Sequence, residues 1–132
     1  MDYQDYVDKA NAASNHFDAG EYEEAMAGFE ALIHSDISDI DKSMMAYNMS
    51  RVCEQAGHPE HALQWLDYGI SLEEPYCRCY ILEHKAAYFA NNRRDAEALA
   101  IYDHIYKLPH ITENDKQRVW QNIVVLRNPR PA

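Results

Sequence analysis

The sequence predicts an all-α fold, a solenoid of three helix pairs closed by a C-terminal helix. Two observations carry that expectation. One segment pattern occurs three times without gaps, as "AGEYEEAMAGFEALI" (19–33), "AGHPEHALQWLDYGI" (56–70) and "NRRDAEALAIYDHIY" (92–106), with alanines at 25, 62 and 98 that are 37 and then 36 residues apart. Each segment also follows a stretch that itself reads as helix. A period in this range marks arrays of helix–turn–helix units, because one such unit cannot bury its apolar face alone.

In the first unit, Asp5 to Asp18 reads as a helix, Gly20 as the turn, and the residues after it as the second helix. Tyr3 and Tyr6 lie on the first helix as N-terminal cover or as exposed partner contacts. The second unit opens with Ser43 to Gln55, for which Asp41 is a plausible N-cap, and turns at Gly57. The third opens with Pro75 to Asn91, since proline suits the first turn of a helix, and turns at Arg93. Across the three second helices Phe29 faces Leu66 and Tyr102, while Leu32 and Ile33 face Gly69 and Ile70, then Ile105 and Tyr106. The small residue lets helices approach, and the large one four further on fills the adjoining space. Thr112-x-x-Asp115 has the outline of a capping box. It opens a final amphipathic helix with Val119, Trp120, Ile123, Val124 and Leu126 on one side and Lys116, Arg118 and Arg127 among its polar positions. That helix is expected to cover the exposed end of the array, and Pro129 and Pro131 to stop it.

With 132 residues, the chain is of ordinary single-domain size. Glycine (4) and proline (5) are too scarce for long linkers. The start, "MDYQDYVDKA", is acidic where a signal peptide is basic, and no apolar run approaches the roughly 20 residues of a membrane span. A cytoplasmic location is expected. Three cysteines, Cys53, Cys77 and Cys79, are too few for a disulfide scaffold, and Cys77-Arg78-Cys79 lacks the gap of a redox or zinc pair. The net charge of −10 is uneven: residues 1–41 hold 11 of the 22 acids against Lys9 alone, and residues 42–132 are balanced. Such a field repels phosphate backbones and anionic lipid, so neither nucleic acid nor membrane is an expected partner, whereas a basic protein surface is.

No nucleophile elbow, phosphate loop or dinucleotide fingerprint is present. His58 and His61, in "HPEH", have a spacing that can put two imidazoles on one helix face, but two ligands do not close a zinc site. Solvated turn histidines are the plainer reading. His16 and His34 fall beside repeat positions as packing or hydrogen-bonding groups. Of the ten tyrosines, Tyr22, Tyr88, Tyr102 and Tyr106 fall at or beside structural positions, and the basic patch of a single-strand binder is missing. No catalytic residue, metal or cofactor is expected.

The pattern resembles the tetratricopeptide repeat family, whose unit is a 34-residue helix–turn–helix, over about residues 6–39, 43–76 and 79–112, with the covering helix at about 113–127. The second helices carry the match through the turn glycine, Tyr22, the three alanines, and Pro75 and Pro109 near unit ends. The first helices match less well. The family's large residue is Lys9, Ala46 and Leu82 here, its small residue Ala13, Ser50 and Ala86, and its aromatic His16, Cys53 and Phe89; Lys85 replaces an apolar residue.

The resemblance implies a right-handed solenoid with a concave groove that holds extended or helical peptides. Its register places Val7, Ala10, Asn11 and Ser14 on the groove in unit one. Unit two contributes Met44, Tyr47, Asn48, Arg51 and Gln55, and unit three Tyr80, Glu83, His84, Ala87 and Asn91. The family's carboxylate clamp matches only at Asn48; Ala10, Ser14, Tyr80 and His84 depart from it, so capture of a terminal carboxylate is not expected. The expectation is a non-enzymatic protein-interaction module, an adaptor, scaffold or chaperone-like protein, that grips a peptide across Tyr47, Asn48, Arg51, Tyr80 and His84. Self-association through the amphipathic ends, giving a homo-oligomer, is the rival. Metal-assisted hydrolysis at His58 and His61 with Glu60 is a more distant one.

Overall fold

A computed structural model describes residues 1–128, so the expected stop at Pro129 and Pro131 lies outside the described residues. Among them the secondary structure is entirely helical: α1 (Tyr3–Asp18), α2 (Tyr22–Ile33), α3 (Asp39–Gln55), α4 (Pro59–Glu73), a 3₁₀ turn (Glu74–Tyr76), α5 (Tyr80–Asn91), α6 (Asp95–Tyr106) and α7 (Glu113–Arg127). None of these helices is long and apolar enough to cross a membrane.

Three helix starts differ from expectation. Asp2, not Asp5, opens α1, its carboxylate accepting the Gln4 N–H. Ser38, not Asp41, caps α3, and Asp41 is the residue whose N–H the Ser38 hydroxyl accepts. Serine three residues earlier satisfies an orphan amide of the first turn, which lengthens the helix by one turn. Pro75 sits in the 3₁₀ turn and does not open α5. Cys77 follows in the left-handed region (φ 57°), so the chain reverses before α5 begins at Tyr80. Thr112 does cap α7, accepting the Asp115 N–H at 3.1 Å.

The three turns within the aligned segments are built alike. Gly20, Gly57 and Arg93 all have positive φ, at 77°, 84° and 62°. After each, one amide reaches back to close the preceding helix: Glu21 N–H to His16 C=O, His58 to Cys53 and Arg94 to Phe89, each at 2.8 Å. The positive-φ residue itself bonds three residues back, to Phe17, Glu54 and Ala90. This is a Schellman cap repeated three times, and glycine serves it at two positions because it adopts φ > 0 without steric cost.

The chain forms two compact units, one from Met1 to Ile81 and one from Leu82 onward. In the first, α1 packs on α2, α2 on α3 and α3 on α4. Ala13, Ala25, Phe29, Leu32, Ile33, Met45, Ala46, Met49 and Val52 form its buried cluster. The alanines at 25 and 62 are buried as the alignment requires, and two glycines, Gly28 and Gly69, also sit at close helix approaches. A Cβ on Gly28 would stand 2.8 Å from the Ala13 Cβ, and one on Gly69 would stand 2.8 Å from Ile81 Cδ1 and 3.3 Å from the Ser43 carbonyl. Glu73, also buried, accepts the Ile81 N–H at 2.7 Å and so joins the end of α4 to the start of α5.

In the second unit α6 packs on α7, and Ala98, Tyr102, Ile105, Val119, Ile123 and Leu126 are buried. The Glu83 carboxylate receives both arms of the Arg118 guanidinium, at 3.0 and 3.1 Å. The apolar face expected of α7 is narrower than its composition suggests. Val119, Ile123 and Leu126 face inward, whereas Trp120 and Val124 remain 44% and 41% exposed. A stripe with i, i+4, i+7 spacing suffices to cover one neighbouring helix, and residues a quarter-turn away stay outside it.

Candidate interaction surface

Met44, Tyr47, Asn48, Arg51 and Gln55 recur at three- and four-residue steps along α3, so they share one face. That face is graded. Met44 packs against the buried cluster of the first unit, Tyr47 and Asn48 are half-buried, and Arg51 and Gln55 are exposed.

Arg51 lies between two rings. Its guanidinium carbon is 5.2 Å from the Phe17 centroid and 6.0 Å from that of Tyr47, within cation–π range of both. Tyr47 meets Tyr80 edge to face, centroids 5.8 Å apart at 76°. On the other side Phe17 meets Tyr22 at 6.0 Å. The row Tyr22, Phe17, Arg51, Tyr47, Tyr80 therefore draws on α2, α1, α3 and the first residue of α5. A guanidinium within reach of two ring faces keeps its N–H donors. Burial pushes the Tyr47 phenol above its ordinary value; Arg51 opposes that shift, and Tyr80 and Glu54 add to it.

Of the remaining expected groove residues, Val7, Ala10 and Ser14 are half-buried on α1, and Asn11 is exposed. His84 and Ala87 are half-buried on α5 and Asn91 is exposed. Glu83 is committed within its own unit to Arg118, which also reaches Asp115 at 3.0 Å.

Phe17 is the member of the row that the sequence alone did not reveal. The aligned aromatic position of unit one falls on His16, whose Nδ1 instead lies 3.1 Å from the Glu21 carboxylate. The signal that could have found it is the pair Phe17 and Tyr22, two aromatics flanking a turn that a positive-φ residue closes.

The His58 and His61 rings do come together, with centroids 5.7 Å apart. His58 is the residue before Pro59, which opens α4. No group of three or more histidine, cysteine, aspartate or glutamate side chains suited to a metal ion exists among the described residues. No family model matches the chain, and neither a curated protein nor a solved structure matches it significantly.

Proposed function

We propose that the chain is a non-enzymatic binding module of the tetratricopeptide type, a solenoid of three helix pairs with α7 as its cover, that holds a peptide segment of a partner protein against Tyr47, Asn48, Arg51 and Tyr80. The observation that carries this is Arg51 within cation–π range of both Phe17 and Tyr47, beside the exposed ring of Tyr80. Such contacts add to the stability of the fold itself, and a peptide-binding face gains further from them, because arginine and tyrosine anchors that are already ordered lose little entropy on binding. The repeat reading is supported by the three equal Schellman caps and by the burial of Ala25, Ala62 and Ala98.

The partner segment is basic overall with polar backbone or side-chain acceptors for Arg51 and Asn48. The exposed Glu21, Glu23 and Glu24 draw it in, a contribution that salt screens, and the ring row retains it. A reducing, cytoplasmic setting belongs to the same reading, supported by the free thiols of Cys53 and Cys77.

Selection of a displayed random-peptide library against the full chain tests the proposal. Enriched sequences should carry lysine or arginine, and the Tyr47→Ala/Arg51→Ala double variant should bind them about 2 kcal/mol more weakly at unchanged helicity. A selection that enriches nothing, or equal affinity in the double variant, overturns it.

A further inference from the structure

His58 and His61 stand outside the ring row and take no part in it. His58 occupies the N-cap position of α4, and His61 is the third residue of that helix. Side chains at these two positions meet over the first helical turn, the relationship that a capping box exploits. Here no side chain caps the helix, and two imidazoles fill the place, with ring centroids 5.7 Å apart and planes inclined at 37°. They lie in an open concavity of about 340 Å³ lined by Gly57, His58, Pro59, Glu60 and His61.

The backbone that carries the pair is fixed. The His58 N–H closes the turn on the Cys53 C=O at 2.8 Å, and the His58 C=O accepts the Ala62 N–H at 3.0 Å. Pro59, the next residue, has its own φ locked by its ring. Only the side-chain torsions remain free. Neither ring hydrogen-bonds to a protein group among the described residues, unlike His16, which meets Glu21 at 3.1 Å, and His34, which lies 3.9 Å from Glu30.

We infer that His58 and His61 chelate one divalent first-row transition-metal ion, Cu(II) in preference to Ni(II) or Zn(II). Imidazole nitrogens bind such ions at about 2.0–2.1 Å, which sets two ring centres on one metal roughly 5–6 Å apart. The observed spacing is already in that range. A ring's centre lies close to its Cβ–Cγ axis, so rotation about that bond turns a nitrogen toward the metal while the spacing changes little. The preference follows from a nitrogen donor pair that imposes no closed geometry, for which Cu(II) binds tightest. Two imidazoles do not close a structural zinc site, so water completes the coordination and the ion exchanges. The positive pole of α4 opposes a cation here, and the Glu60 carboxylate in the same turn offsets it. The site sits on the turn from α3 to α4 and rests on nothing in the peptide-binding reading.

Titration of the untagged full chain with Cu(II), Ni(II) and Zn(II) salts against a competing chelating dye tests it, with electron paramagnetic resonance to count the nitrogens on copper. The tightest Cu(II) site should show two nitrogen ligands and bind more strongly than either other ion. His58→Gln and His61→Gln should each weaken it about tenfold or more, since even a group that only supports a metal ligand is worth that much. The double variant should be little weaker than either single one, because a chelate is lost with its first arm. Both rings are exposed and neither caps the helix, so the variants should keep the helicity of the wild type by circular dichroism. His104→Gln, on α6, should leave the tightest site unchanged. Copper held by fewer than two nitrogens overturns the inference, as does affinity in a single variant equal to that of the wild type. Zn(II) binding tighter than Cu(II) also overturns it, and so does a double variant that loses far more than either single one, which would mean two independent sites.

Discussion

The buried carboxylate of Glu73, at the end of α4, accepts the backbone N–H of Ile81, the second residue of α5, at 2.7 Å. Glu73 is 1% exposed and Ile81 fully buried, so neither group has water as an alternative. The Ile81 amide is one of the four at a helix start that the helix itself cannot satisfy. One side chain thus caps a helix eight residues away across a 3₁₀ turn and a left-handed cysteine.

Glu73→Ala leaves the Ile81 amide buried and unpaired, and should cost about 1–3 kcal/mol of stability in urea unfolding. Glu73→Gln keeps a carbonyl oxygen at the same reach and should cost less. Equal losses in the two variants would show that the hydrogen bond is not what matters at this position.

Gly69→Ala sets two effects of opposite sign against each other. Alanine is the better helix former by about 0.5–1 kcal/mol. Its Cβ would, however, lie 2.8 Å from Cδ1 of the fully buried Ile81 and 3.3 Å from the Ser43 carbonyl, which is backbone. Overpacking of this kind costs about 1–3 kcal/mol, so the variant should melt lower than the wild type. A higher melting temperature would mean that α3 and α4 are less closely packed than described.

Tyr6 gives the protein an alkaline limit. Burial, with Asp41 and then Tyr3 adding to it, raises the phenol to about 12 from its model-compound value of 10.0. The unfolded chain therefore loses this proton at lower pH than the folded one, and above about pH 10 the folded state binds more protons. Stability is fully present below that pH and falls as pH rises toward 12. Tyr6→Phe should flatten this part of the profile of unfolding free energy against pH, and should remove one of the late-titrating tyrosines from the phenolate absorbance of the folded protein.

The alternation of small and large residues was legible because Ala25, Ala62 and Ala98 recur at one register and are all buried. The helix starts were less so. Ser38 and Asp41 can both cap, and the choice depends on how many residues the loop before α3 needs, which local propensity does not contain. Pro75 fits a 3₁₀ turn as well as a first α-turn, because both require only its fixed φ. Trp120 and Val124 look like core in composition, yet their place on α7 is decided by which single neighbour the helix covers. The row from Tyr22 to Tyr80 joins four helices, and a repeat register read within each helix predicts Tyr47, Arg51 and Tyr80 while passing over Phe17.

Removing residues 113–132 takes away α7, which packs on α6, and with it the buried Val119, Ile123 and Leu126. The shortened chain should aggregate or melt at lower temperature, by light scattering and calorimetry. If it were as stable and soluble as the intact protein, α7 would be an appendage.

Arg93 repeats the backbone of Gly20 and Gly57 without their freedom from a side chain, at φ 62°. An L-residue in that region is disfavoured by about 1–2 kcal/mol. The consequence is kinetic. Of three turns with the same hydrogen bonds, the one at Arg93 has the least to lose by opening, so in deuterated water the Arg94 amide should exchange before those of Glu21 and His58.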